Sequence, residues 1–296
     1  MEENKKALNY DEFIHPADAK TLAALKKVPL FDKFCSKFIS IFTESISKVY
    51  DMSSKLRITD KQMPELNTML VDICGKLDIE IPAFYLELNP YPNAYTYGDK
   101  SATVVITSGL IETFTNEEIY TVIAHECGHI ACKHVLYSTM AQMIISGGEA
   151  VTDVILGDNF ITKAVFAPIK LALYHWYRCS ELSADRIAAI CCGSTDGVVK
   201  VMAKFCGAAA CDRFTMDYKL FATQAAYYND MLEESKVNKL IEYMCIATST
   251  HPMPAVRAYE ITEWGGSDTF NENVFKKSNI PGAKKVGFFA RLFSKK

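Results

Sequence analysis

The chain of 296 residues lacks any long run of apolar residues. Its longest stretch without Asp, Glu, Lys or Arg extends from His134 to Gly148 and is interrupted by Ser, Thr, Gln and Gly. A membrane-spanning helix needs about 20 predominantly apolar residues, so this stretch is too short. The opening residues, MEENKKALNYDEF, contain no apolar segment typical of a signal peptide. These absences predict a cytoplasmic protein with no signal peptide and no transmembrane helix.

An excess of basic residues is also lacking. The chain has 32 Lys and Arg against 35 Asp and Glu, which gives a net charge of −3. No large positive field therefore attracts a phosphate backbone, and we predict no nucleic-acid partner. The ten cysteines form no C-x-x-C motif, a pattern that favours reduced thiols packed in a cytosolic core. The hydrophobic content of 49% is sufficient for such a core.

The spacing of apolar residues divides the chain into helical and extended regions. Residues 1–75, and the stretch from Thr115 to about Arg257, have apolar residues three and four apart, which predicts helices. Between them, the segments IPAFYLEL, NAYTY and SATVVITSG are aromatic and β-branched, which predicts strands. We predict an α+β, mainly helical fold. Its parts are an N-terminal helical region (1–75), a core (76–260) and a polar linker with a basic tail (261–296).

The segment VIAHECGHIA contains two of only six histidines in the chain. It follows Thr115, which can begin a helix by capping it. One helical turn separates His125 from His129, so both imidazoles project from one face and can share a metal ion. Glu126 lies beside His125, where its carboxylate can reach a metal-bound water without ligating the metal. The alternative is an ordinary helix that carries two histidines.

A hydrolytic zinc site needs a third protein ligand and an open position for water. One class of zinc peptidases has glycine three residues, and histidine six residues, after the second histidine. This chain has Cys132 and Val135 at those positions, which excludes that class. The later segment ELSADR offers Glu181 as a ligand, with Asp185 one turn further as an acceptor for a ligating imidazole. Taken alone, this pair also fits a salt-bridged helix face.

Four motifs in this order resemble the M48 zinc metallopeptidases, which include a bacterial heat-shock membrane protease and the eukaryotic CAAX prenyl protease. FIHPADAKTLAALKKVPLFDKF is similar to the opening of soluble bacterial members. PNAYTYG with the HECGH segment resembles the family's core block, ELSADR its third-ligand motif, and HPMPAVR its C-terminal motif. The resemblance implies a gluzincin-like fold, mostly helical, with a small antiparallel sheet beside the active-site helix. It also implies an endopeptidase that acts on polypeptides.

The resemblance implies one zinc ion per chain, held by His125, His129 and Glu181. Asp185 would then orient a ligand histidine by a hydrogen bond without itself ligating the metal. Glu126 would act as the general base that assists attack of a zinc-bound water on the peptide carbonyl.

Further roles come from the same resemblance. His251 would be catalytic and stabilise the tetrahedral oxyanion, and Arg257 would contact the substrate or position the site. Asn93 and Ala94 would begin an edge strand to which an extended peptide adds through backbone hydrogen bonds. The alternative for His251 is an ordinary turn before a proline. His134 turns off the ligand face of the predicted helix, and we expect it to be structural.

The chain departs from the membrane members of the family, because charged residues interrupt 135–175 and prevent it from spanning a bilayer. The tail 284–296, KKVGFFARLFSKK, predicts either a basic amphipathic helix on a membrane surface or a disordered charged end. Equal flotation on liposomes with and without this tail would refute the membrane contact. The rival to an enzyme is a zinc-containing protein that acts by binding a partner or a membrane surface. The presence of Glu126 favours the enzyme, while the oligomeric state stays unknown.

Overall fold

The structure, a computed structural model, describes residues 9–41, 44–98, 101–156, 160–207, 215–238 and 253–272. Within these ranges the helices and strands, after a short 3-10 helix at Tyr10–Glu12, are α1 (Pro16–Leu25), α2 (Phe31–Ile41), α3 (Glu44–Ser54), β1 (Leu56–Arg57), α4 (Pro64–Leu77), β2 (Ala83–Glu87), β3 (Ala94–Gly98), β4 (Ala102–Thr107), α5 (Ser108–Thr113), α6 (Asn116–Ala131), α7 (Val135–Leu156), α8 (Phe160–Cys192), α9 (Asp196–Phe205), α10 (Tyr218–Glu234) and α11 (Pro254–Gly265). The α+β, mainly helical prediction is confirmed. His251 and the tail 284–296 lie outside the described residues, so their predicted roles stay predictions.

The helix ends follow local sequence signals. Pro29 lies between α1 and α2, where proline cannot continue a helix. The predicted cap of α6 is present as a capping box. The Oγ1 of Thr115 accepts a hydrogen bond from the Glu118 N–H, and the Glu118 carboxylate accepts one from the Thr115 N–H at 2.8 Å. This cap fixes where α6 begins and therefore which residues of the HECGH segment face inward.

The sheet has the order β1-β2-β4-β3. The three predicted strands β2, β3 and β4 are present, and β3 and β4 form an antiparallel hairpin. The expectation of a purely antiparallel sheet is wrong, because β2 and β4 pair in parallel. Residues 88–93 carry the chain from β2 across to the far side of β4, and Pro90 and Pro92 in this connection cannot extend a strand ladder. As a result β3 lies at the sheet edge beside α6.

The described apolar core forms two clusters. One lies between α4, the sheet, α6, the end of α8, α9 and α11, and the other lies between α1, α2, α7 and the middle of α8. The two helices α6 and α8 pack against each other between these clusters. In the described part of the chain, none of the helices combines the length and the apolar character that crossing a membrane requires. The eight cysteines in this part of the chain form no disulfide with one another.

Candidate active site

The predicted metal ligands come together where α6 and α8 cross. His125 and His129 project from α6 toward Glu181 on α8, and all three side chains are buried. The His125 Nε2 lies 3.5 Å from Glu181 Oε2, and the His129 Nε2 lies 3.3 Å from Glu181 Oε1. One atom from each side chain can be chosen such that the three lie within 4.8 Å of one another. The three residues therefore form a cluster that can hold a metal ion.

The close approach of the two helices depends on Gly128. A Cβ atom at this position would lie 3.0 Å from both the Cα and the carbonyl oxygen of Ala184 on α8, which is tighter than ordinary packing. Gly128 stands in the same turn as the two histidines, and Ala184 follows Glu181 by three residues. The main chains of α6 and α8 thus set the distance between the imidazoles and the carboxylate.

Asp185 lies behind His125. Its Oδ1 is 2.9 Å from the His125 Nδ1. Arg257 of α11 donates to both Asp185 oxygens, from Nε at 2.8 Å and from Nη2 at 2.7 Å. Its Nη1 lies 2.8 Å from Glu181 Oε2. The Arg257 guanidinium therefore contacts two buried carboxylates, and the residue also lines the adjacent cavity, so both predicted roles stay open.

The charges of the cluster favour a cation. Burial alone would lower the pKa of His125, but the hydrogen bonds that its ring donates to the Asp185 and Glu181 carboxylates outweigh it and raise this pKa to about 10. Burial would raise the pKa of Asp185, but Arg257 and then His125 outweigh it and lower this pKa to about 2. Burial lowers the pKa of His129, which keeps that imidazole in the neutral form that ligates metals. The two carboxylates are thus arranged to stabilise positive charge between α6 and α8.

Glu126 is held by the edge strand. The Thr96 hydroxyl of β3 donates to Glu126 Oε2 at 2.7 Å, and both side chains are buried. Sequence reasoning missed Thr96, since a threonine in a strand carries no signal for contact with a residue thirty positions away. Glu126 held in this way lines a cavity together with His125.

A cavity of about 310 Å³ opens beside Glu126. Its polar wall includes His125, Glu126, Asp185 and Arg257. Its apolar wall is formed by side chains of α6 and α9, namely Val122, Val198, Val201, Met202 and Phe205. An acid–base group therefore faces a space large enough for an apolar side chain.

Asn93 and Ala94 line the rim of this cavity at the start of β3. The backbone of Asn93 is engaged with β4, because its N–H donates to Thr107 Oγ1 at 2.9 Å and its carbonyl accepts from the Thr107 N–H at 3.0 Å. In an antiparallel pair, alternate residues direct their backbone groups to opposite sides. The backbone groups of Ala94 and Thr96 therefore point away from β4, whereas those of Asn93 do not.

His134, expected to turn off the ligand face as a structural or surface residue, is buried and contacts a predicted ligand. The Nδ1 of His134 lies 3.1 Å from the Nδ1 of His129. Helix α6 ends at Ala131, and Lys133 adopts a left-handed conformation with φ of 60°. The His134 N–H then donates to the His129 carbonyl at 2.9 Å, and this helix ending folds His134 back over His129. A lysine in place of the usual glycine gave no sequence signal for the reversal.

The arrangement defines a candidate metal centre with a carboxylate beside it and a cleft in front of it. The chain belongs to peptidase family M48, whose model matches residues 60–265. It is 29% identical over 276 residues to the Plastoglobule-localized metallopeptidase 48, chloroplastic, of Arabidopsis thaliana, covering 93% of this chain and 78% of the relative. It is also 29% identical over 117 residues to a Protease HtpX homolog of Streptococcus pyogenes serotype M3, covering 39% of each chain. A Protease HtpX homolog of Streptococcus gordonii is similar at 28% over 118 residues. These relationships confirm the predicted family and support a peptidase role.

Proposed function

We propose that this protein is a zinc-dependent metalloendopeptidase. The observation that carries the proposal is the placement of the Glu126 carboxylate, fixed by Thr96, beside the buried cluster of His125, His129 and Glu181. Family membership supports hydrolysis of peptide bonds. A partner-binding protein without turnover would have no need for a carboxylate held at this position and open to the cavity.

The residues of the cluster fit zinc. Two imidazoles and one carboxylate are the ligand set of one class of catalytic zinc sites, which leave a fourth position open. When bound by His125, His129 and Glu181, zinc would supply Lewis-acid polarisation of the peptide carbonyl and make a water acidic near neutral pH. The Asp185 and Glu181 carboxylates raise the pKa of His125, which supports a preference for positive charge between α6 and α8.

The protein's own groups would move the proton and hold the substrate. Glu126 accepts a proton from the attacking water and passes it to the leaving amine. An extended polypeptide adds alongside β3 near Asn93 and Ala94, since β3 is the last strand in the sheet order and its first residues line the cavity. The apolar wall formed by α9 favours a large apolar side chain next to the bond that is cut. His251, proposed to stabilise the oxyanion, stays a prediction.

Metal analysis and cleavage of casein and a peptide library test this function. We expect one zinc per chain, cleavage beside large apolar residues, loss of cleavage after removal of the metal by a chelator, and recovery with added zinc. Absence of bound metal would contradict the metal centre. Zinc binding without any cleavage would instead favour the partner-binding alternative.

Replacing Thr96 with valine should slow catalysis without weakening the metal site. Valine keeps the volume but removes the hydrogen bond to the Glu126 carboxylate, and hydrogen bonds to charged groups contribute about 1.5–3 kcal/mol. Because only part of this energy bears on the reaction, we expect kcat to fall about tenfold with zinc affinity unchanged. Steady-state kinetics and chelator competition measure the two quantities. Thr103→Val, on the neighbouring strand β4, is the matched control, and an equal loss in both variants would refute the role of Thr96.

The location of the protein in the cell also stays a proposal. The Arabidopsis relative is named as plastoglobule-localized and chloroplastic. A cytoplasmic location with peripheral membrane contact through 284–296 is our proposal for this chain. Its basis is the sequence of the tail.

A further inference from the structure

A continuous line of buried polar side chains leads from the candidate metal centre to α1. The Nδ1 of His129 lies 3.1 Å from the Nδ1 of His134, and the His134 Nε2 lies 2.9 Å from Asp18 Oδ2. Asp18 also accepts hydrogen bonds from Trp176 Nε1 at 2.8 Å and from the Ser183 hydroxyl at 2.6 Å. All five side chains are more than nine-tenths buried. The line joins α6, the start of α7, α1 and α8 at one point.

These contacts are compatible with one arrangement of protons. The His129 Nε2 faces Glu181, so a metal ligated there leaves the proton of the neutral ring on Nδ1. That N–H can donate only to an unprotonated Nδ1 of His134. The His134 proton then lies on Nε2 and is donated to the Asp18 carboxylate. Burial would raise the pKa of Asp18, but the hydrogen bonds that Asp18 accepts from His134, Ser183 and Trp176 outweigh it and lower this pKa. Asp18 is therefore a charged acceptor at the end of the line.

We propose that His134 and Asp18 are positioning residues that fix the orientation and tautomer of the ligand His129. Groups that accept a hydrogen bond from a metal-ligating histidine, without contacting the metal, keep its ring in place and increase its basicity. Asp185 does this for His125 directly, and His134 with Asp18 does it for His129 through one more ring. This inference rests on the proposed function, because it assigns a role relative to the bound zinc.

The proposal extends the site beyond the residues that the family model matches. That match begins at residue 60, whereas Asp18 lies on α1. Helix α1 is anchored to α8 at this point, since the His15 N–H donates to the Ser183 hydroxyl at 2.9 Å. The His15 Nδ1 also caps α1 by accepting from the Ala17 N–H at 3.1 Å. The N-terminal helix is thus held at the position where its carboxylate supports the metal centre.

Zinc affinity measured by chelator competition tests the proposal in the full chain. We expect His134→Phe and Asp18→Asn each to weaken zinc binding about 10–100-fold, the usual effect of losing such outer partners. His134→Asn should lose less, because its amide oxygen can still accept from the His129 Nδ1–H. Tyr120→Phe on the same helix α6 is the matched control, since it removes a partly buried hydrogen bond to Asp72 without touching this line. We expect its zinc affinity to stay within about twofold of wild type.

Thermal melting of the metal-free proteins separates positioning from simple stabilisation. A variant that melts at a lower temperature but binds zinc within about twofold of wild type would overturn the proposal. Equal losses of zinc affinity for His134→Phe and His134→Asn would also overturn it, because an acceptor for the His129 Nδ1–H would then have no effect. If Asp18→Asn does not fold, the two His134 variants decide. If the wild type binds zinc and cleaves peptides while these variants bind zinc normally, only this inference fails. If the wild type binds no zinc, the proposed function itself fails.

Discussion

Glu126→Gln is expected to lower kcat by at least about 10²–10⁴-fold while the protein continues to bind one zinc per chain. Glutamine has the shape of glutamate and can still accept the hydrogen bond from Thr96, but it cannot take up a proton. The cluster of His125, His129 and Glu181 is unchanged by the substitution. Metal analysis together with peptide cleavage by the wild type and the variant measures both quantities on the same preparations.

The matched control is Glu117→Gln, which makes the same chemical change at an exposed position on the same helix α6. It should cleave at the wild-type rate. Cleavage by Glu126→Gln at a rate comparable with the wild type would show that another group accepts the proton. Equal loss in both variants would point to damage to α6 rather than to removal of the base.

Arg257→Leu should reduce the free energy of unfolding of the metal-free protein by about 3–5 kcal/mol, the usual cost of removing one partner from a buried ion pair. The substitution leaves Asp185 and Glu181 buried without the guanidinium that now contacts both. Added zinc should restore part of the loss, because it also provides positive charge next to Glu181. Urea unfolding with and without zinc measures these differences.

Two further variants show whether this loss comes from the buried contacts of Arg257. Arg257→Lys keeps the charge but not the two-pronged geometry, so its loss should be intermediate. Arg57→Leu removes an exposed arginine from β1 and should change the free energy of unfolding by no more than about 0.5 kcal/mol. A loss for Arg257→Leu as small as that of Arg57→Leu would mean that Arg257 does not balance the buried carboxylates.

The pairs of site residues that lie one helical turn apart could be predicted from the sequence. His125 and His129 are one turn apart on a capped helix, and Glu181 and Asp185 are one turn apart on another, so local geometry alone places each pair on one face. The strands β2, β3 and β4 followed from their aromatic and β-branched residues in the same way. The family resemblance then indicated that the two helices meet.

The contacts that depend on tertiary structure could not be predicted. Thr96 reaches Glu126 only because β3 lies at the sheet edge next to α6, and the parallel pairing of β2 with β4 decides that position. His134 meets His129 only because Lys133 adopts a left-handed conformation that lysine rarely takes. Asp18 is far from His129 and His134 in sequence, and no regular spacing of residues connects it with them.

The contact between Gly128 and Ala184 has a consequence for which ions the protein can select. Side chains can rotate to follow ions of different radius, but two main chains in contact cannot approach further, and a larger residue at 128 would separate them. We expect a calcium ion, which needs six to eight oxygen ligands, to bind weakly to a cluster of two imidazoles and one carboxylate. A methyl group at 128 would push α6 from α8 and move Glu181 away from the two histidines, so a single hydrogen atom in its place sets the spacing at which the cluster could hold an ion.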